Sequence, residues 1–266
     1  MKKNKQPAFL LFLSILLLRI AAVQAETTYI SPPLTEDSAL SATPAEKMPA
    51  IPYKFKPTQL ILPAALITTG IVGTAIDGWG DYRLYARKDS VRFIRTDDYL
   101  EWGMLGWVFV CDLMGKEKHN VADQFFLVAL AESLNAGMVQ GLKKGINQTR
   151  PDGAPYSFPS GHTANAFLGA HVAFKEFKDS NPALACSGYA IAAFVAGSRV
   201  YKNRHWIADA VAGAGFGILS VELSYLIYFP IRNAIAHTVN TKAAGRLVVA
   251  PVINRAGGGL YLSFRF

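Results

Sequence analysis

From residue 58 onward the chain runs in apolar segments of helix length. Three polar clusters interrupt its second half: Lys143 with Arg150-Pro151, Pro159-Ser160-Gly161-His162, and Ser198-Arg199 with His205 and Asp209. Charge inside an apolar fold is costly unless it is paired or bound to something. Any architecture built from these segments must therefore gather the clusters together or keep them in water. Within the clusters three cations, two imidazoles, the Ser160 hydroxyl and one carboxylate make an inventory suited to holding an oxyanion. Phosphoryl transfer without a metal ion needs such an inventory.

The segments themselves point to helices. Gln59 to Ile76 is nearly free of charge and just long enough to span a bilayer. Arg83, Arg87, Lys88, Arg92 and Arg95 then form a basic loop. Leu100 to Met114 is shorter and carries Asp112, and Val121 to Leu142 is longer but contains Asp123 and Glu132. Helix-length runs follow at 162–177, 183–198 and 206–229, all rich in Ala and Gly, as tightly packed helices are. The expected fold is all-α, a bundle of about six helices. With 59–76 running inward and 121–142 running back out, the basic loop lies on the cytoplasmic side, as the positive-inside rule prefers. That arrangement keeps 100–114 from crossing and puts all three polar clusters on the outer side. The competing arrangement is a soluble or peripheral domain with unusually apolar helices. A composition of 51% apolar and 17% charged residues sides with the membrane-embedded bundle.

The two ends read differently. Met1 to Lys5 is basic, Ala8 to Ile20 is apolar, and Val23-Gln24-Ala25 offers small residues at −3 and −1, so residues 1–25 are expected to be an export signal cleaved after Ala25. Residues 26–57, rich in Pro, Ser, Thr and Ala, are expected to be a tether with little to pack. At the other end the period changes. Arg246 to Asn254 and Gly259 to Phe266 read as two short strands with a turn at Asn254 to Gly258, a C-terminal β-hairpin over 244–266. Cys111 and Cys186 both sit in apolar stretches without His-rich spacing, so two buried thiols are expected and no metal site. The net charge of +8 suits a membrane surface or a phosphorylated substrate. No Lys/Arg stripe interleaved with aromatics supports a nucleic-acid partner.

Each cluster carries its own chemistry. His205 and Asp209 are four residues apart at the start of an apolar run, so they share one helix face. Asp209 can then fix the tautomer of His205 and leave its other ring nitrogen to attack. Ser160 is placed to cap the helix beginning near Thr163, aiming the N–H groups of Gly161 and its neighbours at an anion. Lys143 supplies a point charge and Arg150 a bidentate fork, with Pro151 fixing the exit of the chain. Blander readings stand beside these: a capping serine, a satisfied histidine, and a basic helix end that snorkels. His119, His171 and His237 lie outside the clusters and are read as structural or solvent-facing. Asn147 and Asn165 sit near them without a clear role, and Lys202 and Arg204 face either a headgroup or water.

Taken together, Lys143-x6-Arg150-Pro151, Pro159-Ser160-Gly161-His162 and Ser198-Arg199-x5-His205-x3-Asp209 resemble the tripartite signature of the type 2 phosphatidic acid phosphatase and vanadium haloperoxidase superfamily (PAP2). All three parts occur in order. The resemblance covers about residues 58 to 230, the domain being set at 58–235, and excludes the tether and the tail. It implies His205 as the nucleophile forming a phosphohistidine, Asp209 as its orienting partner, and His162 as the acid that protonates the leaving alkoxide. It implies Lys143, Arg150, Ser160, Gly161 and Arg199 as the groups holding the phosphate oxygens, with no cofactor and no divalent metal. The expected activity is a metal-independent phosphatase acting on a phosphate monoester. Its expected substrate is a lipid phosphate of the bacterial envelope (lipid A, phosphatidylglycerol phosphate, phosphatidate or an isoprenyl pyrophosphate), at an inner membrane with a periplasm-facing site. The rivals are a soluble broad-specificity periplasmic acid phosphatase, a vanadate-dependent haloperoxidase, and a non-catalytic envelope protein.

Overall fold

The computed structural model describes residues 49–76, 96–112, 118–243, 247–254 and 257–264. The proposed export signal, residues 26–48 of the tether and the basic loop from Arg83 to Arg95 lie outside the described residues. Six α-helices follow a 3-10 turn at Pro57–Leu60: α1 (Ile61–Ala75), α2 (Thr96–Cys111), α3 (Val121–Ile146), α4 (Gly161–Phe177), α5 (Pro182–Tyr201) and α6 (Ile207–Ala243). The all-helical class and the helix count match the expectation from sequence.

Local chemistry sets the helix ends. Asn120 caps α3 by accepting from Asp123 N at 2.8 Å, and Asn181 caps α5 by accepting from Leu184 N at 3.1 Å ahead of Pro182 in the first turn. At the other end of α3, Asn147 takes the left-handed conformation (φ 48) that stops a helix. α6 outruns its expected end at Phe229. Pro230 removes one donor from the helix ladder, and the helix continues to Ala243 regardless.

The described residues fall into two compact units, one made of those between 55 and 228 and the other of residues 49–54 with those after 228. In the first unit, α4 is the central helix, with 13 of its 17 residues buried. Met104 of α2, Ala166 and Ala170 of α4, and Ala192 and Val195 of α5 form one core cluster. Val139 of α3, Phe158 of the α3–α4 connection, Ala164 of α4, and Ala212 and Phe216 of α6 form another. Glycines bring helices into near backbone contact. A Cβ on Gly213 would lie 2.5 Å from Ser160 O, and one on Gly217 would lie 2.2 Å from Ala164 O.

Two groups of buried titratable side chains away from the clusters are paired with each other. Glu222 of α6 accepts from Lys175 Nζ at 2.6 Å and meets His171 Nε2 at 2.7 Å, and His171 Nδ1 meets the Tyr189 hydroxyl at 2.5 Å. Glu176 takes the His119 backbone N–H at 3.0 Å and the His119 ring at 2.9 Å, and also accepts from the Tyr225 hydroxyl. These contacts make His119 and His171 structural, while His237 is exposed.

Among the described residues, four helical segments are long and apolar enough to cross a membrane: Pro57–Ala75, Val121–Ile146, Pro182–Tyr201 and Ile207–Thr238. Much apolar surface on them faces outward, including Ile61, Leu62, Ile71, Phe126 and Phe194. Cys111 is buried as expected, but Cys186 is exposed. It falls on an outward stripe of α5 with Ala183, Ala190, Ala193, Phe194 and Gly197. In a helix of this kind an apolar neighbourhood in sequence does not imply an inward position.

In the second unit, part of the presumed tether has a partner. The Asn233 side chain accepts from Ile51 N at 2.9 Å and donates to Ile51 O at 2.8 Å, and Tyr53 stacks on Phe229 with ring centroids 5.2 Å apart. The hairpin pairs β1 (Leu247–Asn254) with β2 (Gly257–Phe264) antiparallel, from Leu247 opposite Phe264 to Asn254 opposite Gly257.

Candidate active site

The three clusters converge where α3 ends, α4 begins and α6 begins. Lys143 lies in the last turn of α3 and is buried, while its neighbour Lys144 is exposed. Its Nζ donates to Tyr156 O at 2.9 Å and reaches Ser157 O at 3.4 Å. Arg150, in the α3–α4 connection, reaches the same Tyr156 carbonyl from Nη2 at 3.5 Å. The connection is tightly built: Tyr156 has a left-handed backbone (φ 64), the Phe158–Pro159 peptide is cis, and Ser157 N donates to Gln148 O at 2.8 Å.

Ser160 is the N-cap of α4, its hydroxyl accepting from Thr163 N at 3.4 Å and Thr163 Oγ1 at 3.0 Å. Gly161 and His162 occupy the first two helical positions. A Cβ on Gly161 would lie 4.0 Å from Lys143 Cε, so the opening of α4 sits beside the Lys143 stem. Ser160 N donates to Asp209 O at 3.0 Å, which pins the start of α4 to the start of α6.

Arg199 is buried in the last turn of α5, and its carbonyl accepts from Arg204 N at 3.0 Å across a turn in which Asn203 is left-handed (φ 55). This turn delivers His205 and Trp206 to the head of α6. Asp209, at the third position of α6, accepts from Trp206 N at 2.9 Å, half of a capping box. Its Oδ2 also lies 3.5 Å from His205 Nδ1, longer than a well-formed N–H···O bond. Both side chains are buried, His205 at 2% exposure and Asp209 at none. Burial pushes the His205 imidazole down to about 4; the Lys143 and Arg150 charges add to this, and Asp209 opposes it. At neutral pH the ring is therefore neutral and available as a nucleophile.

The structure thus gathers Lys143, Arg150, Ser160, Gly161, His205 and Asp209, and the positive charge of Arg199 is felt at Arg150. His162 is half-buried at the same helix start. Ser198 turns away, its hydroxyl bonding back to Val195 O at 2.8 Å. Arg204 pairs with Asp152 at 3.0 Å at the exposed rim, where Trp206 Nε1 donates to Thr149 O at 2.8 Å. Sequence reasoning missed Ser157, fully buried, whose hydroxyl donates to Asp209 Oδ2. The available signal was its place two residues before Pro159 in a segment that must thread between two clusters.

Parts of the chain are similar to known proteins. Over 100 residues the chain is 44% identical to the lipid A 1-phosphatase of Porphyromonas gingivalis, covering 37% of this chain and 22% of that protein. Over 93 residues it is 37% identical to phosphatidylglycerophosphatase B of Bacillus subtilis, covering 29% of this chain and 45% of that one. The chain thus spans less than half the length of these curated relatives. The crystal structure of LpxE from Aquifex aeolicus is 24% identical, with a TM-score of 0.39 over 52% of this chain and 89% of that one. Residues 143–232, which hold every site residue expected from the sequence, match the model of the PAP2 superfamily.

Proposed function

We propose that this protein is a metal-independent phosphatase that hydrolyses a lipid phosphate monoester through a phosphohistidine. The observation that carries this reading is the buried His205–Asp209 pair at the head of α6, tied through Asp209 O to the capped start of α4. A neutral imidazole faces a carboxylate on one side, beside a helix N-terminus and three cations suited to an oxyanion.

In the first step His205 Nε2 attacks phosphorus in line with the leaving alkoxide, and Asp209 takes the share of charge that develops at Nδ1. Lys143, Arg150, Arg199, the Ser160 hydroxyl and the Gly161 N–H hold the three equatorial oxygens as charge spreads over them. His162 donates its proton to the alkoxide as the P–O bond breaks. In the second step His162, now neutral, takes a proton from water, whose oxygen attacks the phosphohistidine. The P–N bond breaks, and phosphate and free His205 are released.

Four apolar helices of spanning length and a relative named for lipid A support a membrane lipid as the carrier of the phosphate. The relative named for phosphatidylglycerophosphate widens the class to glycerophospholipid phosphates. We place the domain at 58–235 behind an export signal, with the site opening to the periplasmic side of the inner membrane. The test is phosphate release by purified protein across a panel of lipid phosphates and p-nitrophenyl phosphate, with and without EDTA. The reading expects lipid phosphates to be preferred, EDTA to have no effect, and His205→Ala to be inactive. EDTA-sensitive release, or full activity in His205→Ala, overturns it.

A further inference from the structure

Asp209 Oδ2 is the oxygen on which the site turns. It faces His205 Nδ1 at 3.5 Å and accepts from Trp206 N at 2.9 Å, and the Ser157 hydroxyl donates to it as well. Among the described residues Asp209 Oδ1 makes no hydrogen bond. All the directed contacts of the carboxylate therefore converge on one oxygen, and the imidazole meets that same oxygen. The Trp206 donor immediately precedes the first residue of α6 and fixes the carboxylate only against the start of its own helix. Ser157 reaches it from outside, across 52 residues of sequence.

Ser157 is also rigidly held. Its side chain is fully buried, its N–H donates to Gln148 O at 2.8 Å, and its carbonyl lies 3.4 Å from Lys143 Nζ. One residue thus touches the phosphate-binding lysine with its backbone and the histidine's carboxylate with its side chain. We propose that Ser157 is a positioning residue that holds the Asp209 carboxylate in one rotamer toward His205 and keeps that pair in register with Lys143. This inference rests on the phosphatase reading above.

The proposal has an electrostatic consequence. An O–H donated to Oδ2 draws charge from the carboxylate, so its removal leaves Asp209 more negative toward His205 and favours the imidazolium. The other charges acting on His205 are Lys143 from α3 and Arg150 from the α3–α4 connection, and the substitution leaves both in place. A defect that only loosened packing would lower activity at every pH and leave the pH limb where it was.

The experiment measures kcat, KM and the pH dependence of kcat for Ser157→Ala on a lipid phosphate in detergent, alongside the parent protein. Ser133→Ala is the distant control, because the Ser133 hydroxyl only bonds back to Ala129 O on an exposed turn of α3. We expect kcat to fall by about 10–100-fold with KM within about threefold, as when the outer partner of a functional imidazole is removed. We also expect the acid limb of kcat to move up by about one pH unit. A kcat within about threefold of the parent, or a fall without movement of the limb, overturns the proposal. Should Ser157→Ala not melt as a folded protein, Ser157→Cys carries the same test. It is nearly isosteric with a weaker donor, so a smaller fall and a limb shift in the same direction are expected, and an unmoved limb refutes. His205→Ala run in parallel separates the two levels: if it remains active the phosphatase reading fails, and if it is dead while Ser157→Ala is normal only the present inference fails.

Discussion

Replacing Gly213 with alanine perturbs the site without removing any of its chemical groups. The new Cβ would stand 2.5 Å from Ser160 O and 3.3 Å from Thr163 Cβ. Ordinary contact begins near 3.4 Å, so the start of α4 and the face of α6 must separate by about 0.9 Å, since neither partner is a flexible side-chain tip. The same displacement strains the Ser160 N–H to Asp209 carbonyl bond, which ties the proposed phosphate cradle to the His–Asp pair. A misplacement of about 1 Å between reacting groups costs about 100-fold in rate, and overpacking of this kind costs about 1–3 kcal/mol of stability. Steady-state phosphate release and thermal unfolding in detergent measure the two effects. Gly103→Ala is the control, because a Cβ there meets nothing within 4 Å. A Gly213→Ala protein with kcat/KM within threefold of the parent would refute the argument that cradle and nucleophile depend on this close approach.

Three further outcomes follow from the same geometry. Asp209→Asn should lower kcat by about 10³–10⁴-fold with the fold intact, because an amide cannot stabilise the charge that develops on His205; rapid-quench phosphate release checks it. Burial holds the His205 pKa at about 4, below its unfolded value near 6.5, so between those values the unfolded chain binds the extra proton and stability falls as pH drops. The loss of Tm between pH 7 and pH 5 should therefore be smaller in His205→Gln than in the parent, and an equal loss would count against the shift. Glu222→Leu leaves Lys175 and His171 buried without their carboxylate, and breaking a buried pair in this way should cost about 3–5 kcal/mol, read as a lowered unfolding midpoint.

The helices were legible because uninterrupted apolar runs of spanning length have few other ways to satisfy their backbone. The end of α6 was not, because Pro230 reads as a stop although a long helix can tolerate one missing donor. The cluster residues were legible as chemistry, since His205 and Asp209 four apart suggest a pair, but α6 begins at Ile207 and His205 meets Asp209 from the turn before the helix rather than from a shared helix face. The choice between Lys143 and Lys144 was not legible from composition, since adjacent lysines point about 100° apart on a helix and packing alone decides which is buried. Ser157 carried only a faint signal, its place two residues before Pro159, for a different reason. In sequence, Ser-Phe-Pro reads as loop filler, and its role arises only when the connection folds back so that its hydroxyl meets a carboxylate 52 positions away. Tyr156 likewise contributes a backbone carbonyl shared by Lys143 and Arg150, a contact that no side-chain pattern announces.

The measurement closest to the central claim is the identity of the covalent intermediate. Protein mixed with a labelled lipid phosphate and quenched within milliseconds in alkali should carry label that survives base and is lost in acid, as a phosphoramidate does, and peptide mapping should place it on His205. Label on a serine or aspartate, or label that persists in His205→Ala, would contradict the account.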